Sequence, residues 1–550
     1  MKKILFASLI GFCAIFVSCT STTELVRAAE TSKYTDPVVV EQGSVVGIYS
    51  ADNQVEIFAG IPYAKPPLGD LRWKEPQDCA KWEETLIADR FAPMSMQHQN
   101  SKFFNWLWNT FAMHSKGDRT DFAPMSEDCL YLNVWKPAGD KKKLPVLVYI
   151  HGGSLVGGSS FFSAFDGENM AHHDIIRVNI DYRTGIFGFI AMDELAEESP
   201  NLTTGNYGLL DQIKALEWVK ENIESFGGNP ENITIAGESA GSSCVSALCA
   251  SPLAKGLFTK AIGTSSSVVR EIPPHTFYTL NELRQKTKRV MVDLEVSSLQ
   301  EMRKLPAKKL IKYTGGFNGM TVDGYVLPDY PWDSYKKGKN NEVALLNGFN
   351  EHEGFAFTFF EKINAKTYPK LVEKAFPGFA DQILQLYPAK DKNEARLQYD
   401  KLFTANAFSF SHYTWSNAAM DNGVKVYEFY FTKNNKGVGT NHSGEMIYSY
   451  GNVPRLPNKD AKNYDESDYV LETQMMSYWI NFAKTGNPNG VSIKDEKLPE
   501  WPMLNNDRTK VLELGIEIKV IDEPYLELYK ILQSYADTLE RGSKKNWDPR

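Results

Sequence analysis

Cysteine is scarce in this chain, with six residues among 550. Two of them, Cys13 and Cys19, fall in an N-terminal apolar segment. The remaining four, Cys79, Cys129, Cys244 and Cys249, are too few to staple a protein of this length, which excludes a disulfide scaffold. Cys244 and Cys249 are expected as buried free thiols on a helix, while a Cys79–Cys129 bridge stays open. Charge of one sign is also short: the net charge is −8, and no basic cluster is longer than Lys141–Lys143. That argues against a nucleic-acid-binding surface. Beyond Val38 there is no repeat, long Gly/Ser linker or low-complexity tract, so solenoids and loosely strung modules are excluded. Past the N-terminus, no stretch reaches the about 18 apolar residues that span a bilayer.

What is present is a globular composition, 42% hydrophobic and 23% charged, sufficient for a large core. At the N-terminus Lys2 and Lys3 precede an apolar run from Ile4 to Val17, the pattern of an export signal. Ser18-Cys19 after Phe16-Val17 resembles a bacterial lipobox, with Phe16 where leucine is usual. On that reading Cys19 is lipidated and becomes the first mature residue, and membrane contact is made only through this anchor. Cleavage near Ala28-Ala29 would release a soluble protein instead. The expected organisation is a signal over 1–19, a polar tether over 20–37 and one domain over 38–540.

Within that domain, Leu144–Ile150 is a continuous apolar run ending at His151-Gly152-Gly153, suited to a strand buried on both faces. Ile175–Tyr182 and Ile233–Ala236 read the same way. Between them, Leu209, Leu210, Ile213, Leu216, Val219 and Ile223 repeat at helical spacing until Gly227-Gly228 and Pro230 stop the helix. Val343–Phe349 and Lys425–Phe431 are further strand candidates. Strand, helix and strand with glycine punctuation predict an α/β protein with a mostly parallel sheet. Residues 276–312 and 355–420 are expected as helical and irregular insertions over that sheet.

Gly237-Glu238-Ser239-Ala240-Gly241 lies between an expected strand and an expected apolar helix. A serine on so sharp a turn stands exposed above the sheet, and small neighbours let the flanking backbone pass. A serine alcohol needs a base oriented by a carboxylate. Among nine histidines, only His412 and His442 lie beyond the best acid candidates. His442 follows a strand in the Gly437–His442 loop, whereas His412 sits among aromatics in an expected helix. The acid lies in Asn350-Glu351-His352-Glu353-Gly354, where spacing leaves Glu351 and Glu353 both open and His352 reads as a structural neighbour. His151-Gly152-Gly153-Ser154 directly after a strand supplies backbone N–H groups for an oxyanion. His172-His173, adjacent on a strand approach, cannot converge on one ion, so neither a metal nor an organic cofactor is expected.

These residues resemble the type-B carboxylesterases, the family of bacterial para-nitrobenzyl esterases, liver carboxylesterases and cholinesterases. The likeness is carried by Phe226–Pro230 running into Ile233–Gly241, by Glu127–Val134, and by supporting stretches out to Trp479–Pro488. It spans about residues 38 to 535. It implies one α/β-hydrolase domain with a deep gorge, acting on a small-molecule ester, with the oligomeric state left open. It implies Ser239 as nucleophile, His442 as base, and Glu353 as acid because Glu353 precedes a glycine. It also implies the backbone N–H groups of Gly153, Ser154 and Ala240 as oxyanion donors. The same triad would serve a lipase, an aromatic-ester esterase or a carbamate hydrolase, and some relatives are non-catalytic adhesion proteins. Three positions depart from the family pattern. Ser154 replaces a third glycine, Ser95 stands where a partner of Cys129 is usual, and Ser266 replaces a glycine in the supporting shell. The resulting open loop contains Phe103, Phe104, Trp106, Trp108 and Phe111.

Overall fold

The computed structural model describes residues 25–539 apart from 32, 99–117, 119–122, 271–276, 360, 435–439 and 506. The aromatic residues Phe103 to Phe111, Cys13, Cys19 and Gly437–Gly439 lie outside the described residues. An eleven-stranded sheet forms the centre. Its strands are β1 (Ile48–Tyr49), β2 (Val55–Pro62), β3 (Tyr131–Pro137), β4 (Leu144–Ile150), β5 (Ile176–Ile180) and β6 (Gly228–Glu238). They continue with β7 (Lys260–Thr264), β8 (Ala344–Asn350), β9 (Lys425–Phe431), β10 (Lys510–Leu514) and β11 (Ile518–Asp522). In space the order is β11-β10-β9-β8-β7-β6-β4-β5-β3-β2-β1. The block from β10 to β5 is parallel throughout, and antiparallel strands finish both edges. This is the mostly parallel sheet that the apolar runs predict.

The longest flanking helices are α1 (Tyr207–Asn222), α2 (Ala240–Ala250), α3 (Leu280–Asp293), α4 (Lys392–Thr404), α5 (Phe410–Asp421), α6 (Glu466–Thr485) and α7 (Leu526–Ala536). Alternation along β4 sorts them into layers. Val146, Val148 and Ile150 join Ile213 and Leu216 of α1, Val245 of α2 and Trp415 of α5 in one apolar cluster. Leu147 and Tyr149 join Met475, Trp479 and Phe482 of α6 in another. Helix α6 is fixed at both ends: an Asp465–Asp468 capping box starts it, and Gly486 at φ 76° stops it. The insertion around α4 and α5 shares a third cluster with α7, formed by Val372, Ile383, Leu402, Leu528 and Leu532. The segments 276–312 and 355–420 are thus helical cover over one sheet.

Three features differ from the expectations or close them. Residues 25–35, expected as tether, run along the body instead: Ala28 N–H bonds Asp89 C=O, Phe91 N–H bonds Val26 C=O, and Thr35 N–H bonds Gly47 C=O. His172 caps the short helix Glu168–Ala171 on the approach to β5, with Asp52 Oδ2 3.6 Å from its Nε2. Cys79, Cys129, Cys244 and Cys249 are all free, the last three buried. Ser95 Oγ lies 3.0 Å from Thr184 Oγ1, and the paired strands Met94–Ser95 and Met125–Ser126 clasp the base of the open loop without a covalent bond. No helix among the described residues is long and apolar enough to cross a membrane.

Candidate active site

Strand β6 ends at Glu238 and helix α2 begins at Ala240, which leaves Ser239 alone in the turn. Its φ of 55° and ψ of −129° form a strained conformation that costs about 1–3 kcal/mol. The flanking glycines make the turn possible. A Cβ on Gly237 would stand 2.4 Å from the Gly241 carbonyl carbon, and one on Gly241 would stand 2.1 Å from Ile150 O. Ser239 N–H donates to Thr264 C=O at 2.9 Å, and its carbonyl accepts from Ser243 N–H at 3.0 Å. The side chain is left partly open to solvent at the positive end of α2.

The loops after β8 and β9 bring Glu353 and His442, the candidate acid and base, together. Glu353 is fully buried, and its Oε2 lies 2.6 Å from His442 Nδ1. Its other oxygen accepts from Asn350 N–H at 2.8 Å. The other ring nitrogen, Nε2, lies 3.3 Å from Oε1 of Glu238, the residue before Ser239. The rings of Phe408 and Phe357 stand 4.8 and 5.2 Å from that of His442. The alternatives take other places. Buried His412 bonds Asn347, and burial lowers its pKa to about 3. Glu351 is half-buried and lies 3.7 Å from His352, away from His442.

The loop after β4 closes the site. A Cβ on Gly152 would lie 3.1 Å from Ser239 Cβ, so this loop packs on the serine turn. Gly153, Ser154 and Leu155 follow at φ 107°, 56° and 61°. Gly153 and Ser154 are exposed, whereas Leu155 is buried and anchors the turn. Gln97 grips the far side, accepting from Gly158 N–H and donating to Gly158 C=O, each at 2.8 Å.

Charge in the site is concentrated. Burial alone would depress His442, but Glu238 and then Glu353 override it and raise its pKa to about 9. Burial lifts Glu238 to about 6 against the pull of His442, and lifts Glu445 to about 8 with Glu238 and Glu353 adding to the rise.

A carboxylesterase family model matches residues 35–531. The chain belongs to the carboxylesterase family. It is 32% identical over 517 residues to fumonisin B1 esterase of Sphingopyxis macrogoltabida, covering 90% of this chain and 89% of that protein. It is 30% identical over 504 residues to para-nitrobenzyl esterase of Bacillus subtilis (strain 168), covering 89% and 97%. Among solved structures, it matches a Geobacillus stearothermophilus carboxylesterase at a TM-score of 0.77 and 28% identity, over 90% of this chain and 100% of that one. The para-nitrobenzyl esterase structure gives a TM-score of 0.73 at 28% identity, over 90% and 99%. The fold is the α/β-hydrolase fold, and the protein is a serine hydrolase that cleaves carboxylic esters.

Several residues of this carboxylesterase site escape motif reading. Glu238 was only the variable position of Gly-x-Ser-x-Gly, yet it faces His442 and accepts from Ser443 Oγ at 2.6 Å. The signal for it was a carboxylate at the end of a buried strand, where an ionisable group needs a partner. Asn350 donates to Glu445 Oε2 at 2.6 Å, a contact set by tertiary structure. Phe357, Phe403 and Phe408 meet only because α4 folds back over the site, with centroids of 5.9 Å for Phe357–Phe403 and 5.5 Å for Phe357–Phe408.

Proposed function

We propose that Ser239 is the nucleophile of this esterase, His442 its base and Glu353 the acid that orients His442. Ser239 Oγ attacks the ester carbonyl carbon while His442 Nε2 takes the hydroxyl proton. The carbonyl oxygen becomes an oxyanion received by the backbone N–H groups of Gly153, Ser154 and Ala240. Collapse breaks the carbon–alkoxy bond, and His442 gives its proton to the departing alcohol. Water then attacks the acyl-serine, passes a proton to His442 and releases the carboxylic acid as Ser239 recovers that proton. The observation that carries this reading is the buried 2.6 Å bond from His442 Nδ1 to Glu353, with Nε2 3.3 Å from Glu238, the residue before Ser239.

The substrate side of His442 is apolar. Phe357 is 40% exposed although it packs on Phe403, Phe408 and His442. That supports esters with an apolar or aromatic group next to the scissile bond over charged ones. The relatives' names, fumonisin B1 esterase and para-nitrobenzyl esterase, show that one family accepts unlike esters. Hydrolysis of para-nitrophenyl acetate through decanoate by residues 20–550, beside a Ser239→Ala control, tests both points. Activity lost in the control and greatest on short chains supports an esterase. A rise toward decanoate favours lipase-like use, and a folded protein inert on every ester would favour a binding role.

We propose, too, that the chain is exported and lipidated at Cys19. The bonds of Val26 to Phe91 and of Ala28 to Asp89 support processing at Cys19 over cleavage near Ala29, which would strip them away. Palmitate labelling that disappears in Cys19→Ala tests the anchor; labelling that persists refutes it.

A further inference from the structure

Helix α4 grips the loop that carries Glu353 on both sides. His352 Nδ1 bonds Asp400 Oδ2 at 2.6 Å, and Gly354 N–H donates to Thr404 Oγ1 at 3.2 Å. Asp400 and Thr404 are four residues apart and so share one face of α4. Gly354 lets that face approach, since a Cβ there would stand 2.8 Å from Asp400 Oδ1. The backbone of His352 completes the junction. It bridges to Asn441, and its N–H donates to Thr440 C=O at 2.9 Å, so one residue fastens the acid loop to both the base loop and α4.

Asp400 is only 6% exposed, and its Oδ1 has no hydrogen-bond partner among the described residues. A buried carboxylate so poorly solvated depends on its counter-charge, and stripping that partner is costly. Burial by itself would lower the His352 pKa. The bond to Asp400 and the charges of Asp400 and Glu351 outweigh it, against Lys401, and hold it above 6.5. Burial raises Asp400 as well. The His352 side chain is 30% exposed against 9% for Asp400, so positive charge on the pair is better solvated on the histidine. The charged groups facing this ring are Asp400 and Lys401 of α4 and Glu351 of its own loop, while Glu353 and Tyr525 face Asp400.

We infer that His352 and Asp400 are a positioning pair: with the imidazole charged, α4 holds residues 351–354 so that Glu353 meets His442 at bonding distance. The inference rests on the proposed triad. Neutralising His352 loosens the acid loop and misplaces Glu353, while the surfaces that bind substrate stay as they are. The effect therefore falls on kcat and leaves KM in place. In the wild type, kcat also declines at alkaline pH as His352 loses its proton.

The test is the pH profile of kcat and KM on para-nitrophenyl butyrate for His352→Asn, Asp400→Asn, the double variant and Ser239→Ala. Each single variant is expected to lose about tenfold in kcat at neutral pH, with KM within about twofold and the alkaline decline gone. The double variant is expected to lose no more than either single one. His352→Gln, which keeps a neutral donor, gives the same readout if His352→Asn fails to fold. Folded variants with wild-type kcat and an unchanged alkaline limb overturn the inference, as do additive losses in the double variant. An active Ser239→Ala would instead overturn the triad reading itself.

Discussion

The carboxylates around His442 are fixed by short bonds, Glu353 to His442 and Asn350, Glu238 to Ser443. Ser239 keeps φ 55° because β6 and α2 leave no other path. Glu238 is the residue whose removal is most informative. Its carboxylate is the largest influence raising His442, whose pKa stands at about 9. As the proposed base, His442 works only when unprotonated, so activity is expected to rise with pH as it gives up its proton. Replacing Glu238 by Gln removes a negative charge 3.3 Å from Nε2 and makes the imidazolium easier to deprotonate. The ascending limb of kcat/KM should then move to lower pH by about one unit. A limb that stays in place would show that Glu238 does not set the base. Ser154 is a second test at this scale. At φ 56° it occupies a conformation that glycine adopts freely. Ser154→Gly should raise stability in urea unfolding by about 1 kcal/mol and keep turnover, because the proposed donor is a backbone N–H.

Elements were legible where the sequence repeats a physical pattern. The apolar run Leu144–Ile150 is β4 at both ends, Lys425–Phe431 is β9, and the helical spacing from Tyr207 is α1. The serine turn was readable for the same reason, because glycines at 237 and 241 are a steric demand. Gly241→Ala drives a Cβ to within 2.1 Å of Ile150 O, a backbone atom of β4 that cannot swing aside. We expect a loss of about 3 kcal/mol, read as a lower thermal midpoint, together with weaker turnover as the serine turn opens. Wild-type stability in Gly241→Ala would mean that the turn is looser than its geometry. Illegible were the contacts made by elements distant in sequence. The grip of α4 on the acid loop joins residues 48 and 50 positions apart, and Gln97 reaches Gly158 across 61. No local periodicity encodes such pairs. The open choice between Glu351 and Glu353 had the same origin, since only the fold turns one of them toward His442.

At the scale of the whole molecule, one sheet and its insertions are stabilised by packing, with no covalent cross-link among the described residues. A native disulfide would contribute about 2–4 kcal/mol. The thermal midpoint should accordingly be the same with and without a reductant. A clear drop on reduction would contradict the free state of Cys79 and Cys129. The docked stretch around Val26, Ala28 and Thr35 extends the folded body upstream of the expected domain boundary, because its backbone finds partners at Phe91, Asp89 and Gly47. The central claim is that ester cleavage passes through a covalent bond to Ser239. Labelling with a fluorophosphonate followed by peptide mass analysis tests it most directly. One adduct is expected, on the peptide containing Ser239, matched by loss of para-nitrophenyl ester turnover and absent from Ser239→Ala. An adduct on another residue, or turnover that survives in Ser239→Ala, would contradict it.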